Sequence, residues 1–302
     1  VIVGIGELLW DVFPDGRKVA GGAPFNFAFH CHRLGHPAAV VSRVGDDELG
    51  RELRDEVRRL GLTDEYIQTD REHPTGTVRV TVDAAGQPSY EIVEDVAWDY
   101  IGWDDQLQAL AGRCRAVCFG TLAQRSESAD AIQGFLSDSR LGDAGYALRM
   151  FDVNLRQHYY SAVTLRSSLY RSAFVKVSEE ELPAVTATLG FSGETTAERV
   201  AALFRYSSAE TRHIYVSRGS AGVDLYYERE PAPIHEPAAP ARVVDTVGAG
   251  DAFTAAMVCM HLEGRWGREA ARFASHYAAR VCERRGATPR IDRADVERAA
   301  GM

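Results

Sequence analysis

Short apolar runs alternate with amphipathic stretches along most of the chain. Val1–Gly6 is continuous and β-branched, the pattern of a strand buried on both faces. Ala23–Leu34 follows a Gly-Gly pair and brings Phe25, Ala28, Phe29 and Leu34 to near-helical spacing, which predicts a helix closed by Gly35. Ala38–Val44 predicts a second strand, and Glu48–Leu60 a helix stopped by Gly61. Strand, helix, strand is the rhythm of a parallel α/β sheet. Thr77–Val82 and Ser89–Val93 break that rhythm by alternating with period two about a turn at Asp83–Pro88. One dry face and one wet face predict an antiparallel hairpin, a small flap outside the main sheet. Asp11–Ala20, turning at Pro14-Asp15-Gly16, predicts a ribbon beside it.

The α/β rhythm then returns. Ala116–Phe119, Tyr146–Asp152, Ala173–Val177, His213–Ser217 and Gly222–Tyr227 predict strands. Glu127–Ser139, a stretch from about Ser178, Glu194–Phe204, Ala249–Leu262 and Glu269–Arg284 predict helices. Glu230–Pro240 is rich in Pro and Ala and reads as a loop before a last strand at Arg242–Val244. Apolar strands of this kind suit a sheet covered on both faces. The chain shows no internal repeat and no low-complexity tract.

Composition narrows the class. The chain has 302 residues, enough to bury a proper core, and a net charge of -9 argues against nucleic acid or an anionic membrane as partner. Its five cysteines are odd in number and form no Cys-x-x-Cys pair, so free thiols in a reducing cytoplasm are expected. No apolar run approaches the ~20 residues of a membrane span. Val-Ile-Val-Gly-Ile-Gly lacks the charged and long apolar regions of a signal peptide, and a chain that starts at Val1 rather than Met reads as trimmed.

The strongest chemical signal is Asp245-Thr246-Val247-Gly248-Ala249-Gly250-Asp251-Ala252-Phe253. Small residues there let backbone approach a ligand closely, and a helix starts within the same turn. Free N–H groups and the dipole at a helix start attract anions, so Gly248, Ala249 and Gly250 can aim donors at a transferring phosphoryl group. Asp251 in the first turn can take a proton from an attacking hydroxyl, and the positive helix end favours its charged form. The same residues also read as a Gly-rich turn with Asp251 as a helix cap. No Gly-Lys-Ser or Gly-Lys-Thr is present, so a P-loop does not compete.

A second Gly-rich element, Gly21-Gly22-Ala23-Pro24-Phe25-Asn26, opens another helix, and Asp11 precedes it. Asp11 and Asn26 with close backbone at Gly22 suit a polyhydroxy ligand, or equally a turn with a helix cap. His30, Cys31 and His32 sit on one short helix but do not share a face, so packing or surface positions are expected of them rather than a metal. Tyr90 and Ile92 share one face of the hairpin and can cover a ligand or contact a second copy of the chain.

These motifs resemble those of the ribokinase-like (PfkB-type) carbohydrate kinases. Asp245–Phe253 is similar to the family's C-terminal signature, and Gly21–Asn26 with Gly35 to its N-terminal one. Gly45-Asp46-Asp47-Glu48-Leu49-Gly50 is similar to its early Gly-x-Asp-x-x-Gly element. The likeness runs essentially from end to end. It implies one ribokinase-like domain over residues 1–302: three α/β/α layers around a mostly parallel sheet, with a β lid from approximately 11–21 and 75–98. It implies ATP and Mg²⁺ as cofactors, Asp251 as base, and Gly248–Gly250 as anion hole. It gives the sugar to Asp11, Gly22 and Asn26. Asp152-Val153-Asn154-Leu155-Arg156 matches an Asp-x-Asn-x-Arg element, which adds Asn154 for substrate and Arg156 for phosphate or substrate. Ser217-Arg218-Gly219-Ser220-Ala221-Gly222 resembles the nucleotide loop, and Gly286-Ala287-Thr288-Pro289 the loop over adenine. The resemblance also implies a K⁺ site near Asp245.

Two departures stand out. Where the family often has Asn-x-x-Glu, linked to Mg²⁺ through water, this chain reads Ser178-Glu179-Glu180-Glu181. Glu181 keeps the acid and Ser178 replaces the amide, which implies a weakened or shifted metal dependence. Ser275 stands where many members carry Asn near the nucleotide, leaving His276 as the neighbour. Within the family, Gly6–Gly16, Ala97-Trp98-Asp99 and Phe119–Arg125 look most like bacterial fructokinases. The expected reaction is therefore phosphorylation of fructose at its 6-hydroxyl. Ribose, 2-keto-3-deoxygluconate or a nucleoside is the alternative substrate, and a non-catalytic sugar-binding protein the alternative class. A homodimer through the lid is a further expectation.

Overall fold

In a computed structural model the chain is described at residues 1–82, 88–138, 141, 147–207, 213–230 and 232–302. The predicted turn at Asp83–Pro88 falls almost wholly outside the described residues. So do Ser139 and Tyr146, the ends of two predicted elements. The strands are β1 (Ile2–Ile5), β2 (Leu9–Val12), β3 (Lys18–Gly21), β4 (Ala38–Gly45), β5 (Ile67–Asp70), β6 (Thr77–Val82) and β7 (Pro88–Ile92). They continue with β8 (Ala116–Phe119), β9 (Leu148–Asp152), β10 (Phe174–Ser178), β11 (His213–Ser217), β12 (Val223–Tyr227) and β13 (Ile234–Glu236). The helices are α1 (Ala23–Arg33), α2 (Glu48–Arg59), α3 (Asp105–Arg113), α4 (Ser128–Ser137) and α5 (Ala162–Arg171). After them come α6 (Leu182–Thr188), α7 (Thr196–Tyr206), α8 (Ala249–Leu262), α9 (Gly267–Cys282) and α10 (Arg293–Ala300).

Nine strands form one sheet in the order β13-β12-β11-β10-β9-β8-β1-β4-β5, parallel throughout except for β12 and β13. Strand pleating divides the side chains between two faces. Val3, Ile5, Val117, Phe119 and Phe151 turn to one core, shared with α3 to α7. Ile2, Cys118, Met150 and Tyr215 turn to the other, beneath α1, α8 and α9. Helix α8 is apolar almost all round, and Ala252–His261 are all buried. A helix of that kind belongs between layers, and α8 lies packed against both α1 and α9.

The small sheet is four-stranded, in the order β3-β2-β6-β7, and joins the two predicted ribbons through a parallel β2–β6 pairing. On one face Leu9, Asp11, Val78 and Ile92 look into a cavity. On the other, Trp10 and Ala20 pack with Val44 and Leu53. The exit of β7 is fixed by Arg125. Its Nη2 donates to Val93 O at 2.7 Å, its Nε to Asp99 Oδ1 at 2.7 Å, and its guanidinium lies 4.1 Å from the Trp98 ring centroid. Two of the segments most like bacterial fructokinases thus meet at the root of the small sheet.

The last predicted strand is corrected. Arg242–Val244 is not a strand: Pro237 and Pro240 interrupt the ladder, and the N–H of Val244 donates to Cys282 O at 2.8 Å. The strand on that edge is instead β13, inside the stretch read as loop. The helix expected from about Ser178 begins at Leu182, after a turn that Ser178 and Glu181 close. Elements β5, α3, α5 and α10 carry no strong periodic signal and were not predicted.

Candidate active site

The carboxyl ends of the central strands open toward the small sheet, which is where open α/β sheets bind ligands. Between the two sheets lies a cavity of about 860 Å³. Its walls bring together Asp11, Gly22, Asn26, Asn154, Arg156, Asp245, Gly248, Gly250, Asp251 and Gly286, all expected at a site from sequence. Leu9, Val78, Ile92 and Leu122 supply an apolar lining. Tyr90 and Ile92 both face the cavity, and Tyr90 is half-exposed at the edge strand.

Helix α8 begins at Gly248, whose φ of 76° is left-handed. A side chain there would meet Ala287, Cβ to Cβ at 2.6 Å, so only glycine lets the turn pack under the Gly286 loop. The first N–H groups of a helix have no partner within it. That of Ala249 is already spent on Thr246 O at 3.2 Å, which weighs against its expected role as an anion donor. Asp251 sits in the first turn of α8, and its Oδ2 accepts from Asn26 Nδ2 at 2.8 Å. Asn26 comes from the far end of the chain, on α1. That helix starts at Gly22, with φ of 117°, where a Cβ would stand 2.2 Å from Glu7 O. Asn26 therefore positions Asp251 as well as lining the cavity.

The helix start was expected to favour the charged form of Asp251. Burial outweighs it and pushes the carboxyl up to about 6, helped by the charge of Asp152 and opposed by the Asn26 hydrogen bond, Lys176 and Arg156. Asp11, on β2, is likewise pushed up to about 6 by burial, against the pull of Arg156. Asn154 and Gln157 adopt left-handed φ angles of 43° and 47° at the mouth of the cavity, and Gln157 Nε2 donates to Tyr90 O at 2.8 Å. That contact ties the small sheet to the loop carrying Arg156.

Three groups here escaped the sequence reading. Lys176 on β10 faces the cavity, and its Nζ lies 3.0 and 3.1 Å from the two Asp152 carboxylate oxygens. Thr254 Oγ1 donates to Asp152 Oδ2 at 2.8 Å. Burial alone would lower the lysine, but Asp152, Glu181 and Asp251 overcome it and raise its affinity for the proton. A Cβ on Gly250 would stand 3.1 Å from Lys176 Nζ, so the ammonium abuts the start of α8. The third is Glu7, treated below. The sequence signal for Lys176 is a lone charge inside an apolar strand.

Other expected residues lie elsewhere. Ser217, Arg218, Gly219 and Gly222 form the turn from β11 to β12 and do not line this cavity; Arg218 pairs with Glu179 at 3.2 Å and Asp224 at 3.4 Å. His276 on α9 is also away from the lining, and its neighbour Ser275 accepts from Ala239 N at 2.9 Å. Glu181 Oε1 accepts from Leu155 N at 2.6 Å and Oε2 from Ser178 N at 2.8 Å, so it braces the Asn154–Arg156 loop. Ser178 Oγ returns a bond by accepting from Glu181 N at 3.2 Å, which is how the serine closes the turn. Asp245 accepts from Val247 N at 3.0 Å and Gly286 N at 2.8 Å. His30 is buried between Tyr277 Oη at 3.0 Å and Ala287 O at 2.9 Å, a packing role. Among the described residues no group of three or more His, Cys, Asp or Glu can hold a metal ion.

Comparison with known proteins gives consistent results. A family model described as pfkB family carbohydrate kinase matches residues 12–293. The fructokinase of Klebsiella pneumoniae is 29% identical over 265 residues, covering 84% of this chain and 82% of that protein. A sugar kinase of Pyrococcus horikoshii, solved in complex with ATP, superposes with a TM-score of 0.80 at 25% identity, over 100% of this chain and 99% of that one. For the fold alone, Arabidopsis thaliana ribokinase complexed with ribose and ATP gives a TM-score of 0.81 at 24% identity, over 100% and 98% of the two chains.

Proposed function

The chain belongs to the pfkB family of carbohydrate kinases, and on that premise we propose that it transfers the γ-phosphoryl group of ATP to a hydroxyl of fructose, the 6-hydroxyl, with Asp251 as general base. The observation that carries this reading is Asp251 itself: half-buried, held by Asn26, and facing a cavity with an anion-attracting helix start. The sugar lies under the small sheet, which acts as a lid, against Asp11, Gly22 and Asn154. Its hydroxyl gives its proton to Asp251 as the oxygen attacks the γ-phosphorus, and the bond to the bridging oxygen breaks to release ADP. Negative charge on the moving phosphoryl group is met by Gly248 and Gly250 N–H, by Lys176 and by Arg156. In this reading residues 1–302 form one kinase domain.

Nucleotide binding is assigned to the surface that runs from the Gly286 loop toward Ser217, Gly219, Gly222 and His276. The two oxygens of Glu181 already accept backbone hydrogen bonds and Asp152 is engaged by Lys176 and Thr254. That donor set fits a Mg²⁺ ion held mainly by ATP and water, with Glu181 reached only through water. The ion would supply further charge neutralisation at the phosphates. A K⁺ ion near Asp245 would share oxygens that already take two N–H groups. The five free cysteines suit a reducing cytoplasm.

The fructokinase relative supports fructose; the ribokinase neighbour keeps ribose as a second reading, with 2-keto-3-deoxygluconate and nucleosides behind it. A coupled ADP assay over these substrates, with and without Mg²⁺ and K⁺, separates them. Sugar-dependent ADP release by Asp251→Ala at the wild-type rate would sink the base assignment. Half-exposed Tyr90 at the lid edge supports a homodimer through the lid. Sedimentation at micromolar concentration tests that, and a monomer unchanged by sugar and ATP rules it out.

A further inference from the structure

We propose that Glu7 is a substrate-binding residue, its free carboxylate oxygen accepting a hydrogen bond from a sugar hydroxyl other than the one phosphorylated. The inference rests on the kinase reading above and adds a specificity determinant to it.

Glu7 follows β1 and is buried, and it lines the cavity. Its Oε1 accepts from Ala23 N, at the start of α1, at 3.1 Å. Its Oε2 is buried without any hydrogen-bond partner. Asn26 repeats the pattern: Nδ2 is given to Asp251, while Oδ1 is buried and unpartnered. A buried acceptor left unpaired costs free energy, and native proteins rarely leave one so. Here two lie on the wall of one cavity, next to the base, and both are acceptors.

The charges around them decide what can complete them. Burial pushes Glu7 up to about 7, the charge of Asp251 adds to that, and Arg156 opposes it. A second anion against this group would meet both carboxylates, so a phosphate or carboxylate on the ligand does not belong here. Lys176 and Arg156 already supply positive charge to the same wall, which makes a further cation redundant. A neutral hydroxyl is what remains, since it donates to Glu7 Oε2 when the carboxyl is ionised, above about pH 7, and a sugar offers several on a rigid frame. One hydroxyl is needed at Asp251 for reaction, and another can reach Glu7 Oε2. The apolar lining keeps water away from that contact, which makes an unmatched acceptor more costly and discrimination sharper.

Glu7 also caps the first turn of α1 by accepting from Ala23 N, so capping must be separated from binding. Glu7→Gln does this, because the amide oxygen can still accept from Ala23 N while an NH2 donor replaces the second oxygen. The test is steady-state kinetics of full-length wild type, Glu7→Gln and Glu7→Asp on the accepted sugar and on its monodeoxy analogues. The expected result is a KM for the parent sugar raised about ten- to a hundredfold by Glu7→Gln with kcat little changed. One deoxy analogue is already poor for the wild type and is unaffected by Glu7→Gln, while Glu7→Asp keeps part of the preference for the parent. Glu7→Gln kinetics equal to the wild type, or a KM raised alike on every analogue, overturns the proposal and leaves Glu7 a cap. If the wild type phosphorylates no sugar, the kinase reading falls. Glu7 is then judged by calorimetric binding of the sugar panel to wild type and Glu7→Gln, where equal affinities overturn it.

Discussion

At the scale of single residues, the affinity of the proposed base for its proton is set by a contest between a helix start and burial, and burial wins. Asp251 therefore titrates near 6 rather than near the usual aspartate value. Only its carboxylate form can accept the proton. The expected kcat/KM for the sugar is flat at high pH and falls in two steps as Glu7 and then Asp251 take up protons, near pH 7 and pH 6. Asp251→Asn lowers kcat by about 10²–10⁴-fold and leaves the upper step alone. A lower step near 4, or an Asn variant that keeps both steps, would transfer the base role elsewhere. Sequence made Asp251 legible because its signal is local: glycines, a turn and a helix start lie within seven residues. Glu7 and Lys176 carry no such signal. Each is one charge beside or within an apolar run, and its meaning depends on strands distant in the chain.

At the scale of elements, two helices share the site. Helix α1 brings Asn26 and α8 brings Asp251, and they can approach because α8 presents Ala252, Ala255 and Ala256 in its buried surface. Cys31 Sγ lies 4.0 Å from Ala255 O, which is close packing of one helix on the other. Ala255→Leu should force α1 and α8 apart, at a cost of about 1–3 kcal/mol in stability. Its kcat should drop well beyond what a lowered folded fraction explains, because the Asn26 to Asp251 bond stretches. Denaturant unfolding and kcat on the same preparation check this; full activity at reduced stability would show the helices' spacing to be unimportant. The helices themselves were legible from spacing, and Ala249–Leu262 is found with those bounds. The irregular path of Arg242–Val244 was not, since two adjacent valines look like a buried strand in sequence. They are 62% and 54% exposed, beside a loop that two prolines keep out of the sheet.

At the scale of the whole molecule, buried titratable groups pull stability in opposite directions with pH. Glu7 at about 7 and Asp251 at about 6 bind protons more tightly folded than unfolded, so their share of stability is lost as pH rises from about 4 to 7. His30 and His261, pushed down to about 4 and about 3 by burial, do the reverse and destabilise as pH falls below about 6.5. Each group carries on the order of 3 kcal/mol, so the terms oppose one another across the mildly acidic range. Glu7→Gln removes one side. Its Tm should exceed that of the wild type at pH 8 and converge with it near pH 4. A difference constant with pH would mean that Glu7 is not held as a reluctant anion.

The hydrogen bond from Asn26 to Asp251 spans 225 positions of sequence. During synthesis the small sheet and the first half of the large one leave the ribosome long before Asp251 does. A chain cut before α8 lacks the group proposed to take the proton. On that reading phosphate transfer waits until α8 docks against α1, so turnover reports that these two helices, far apart in the sequence, have met.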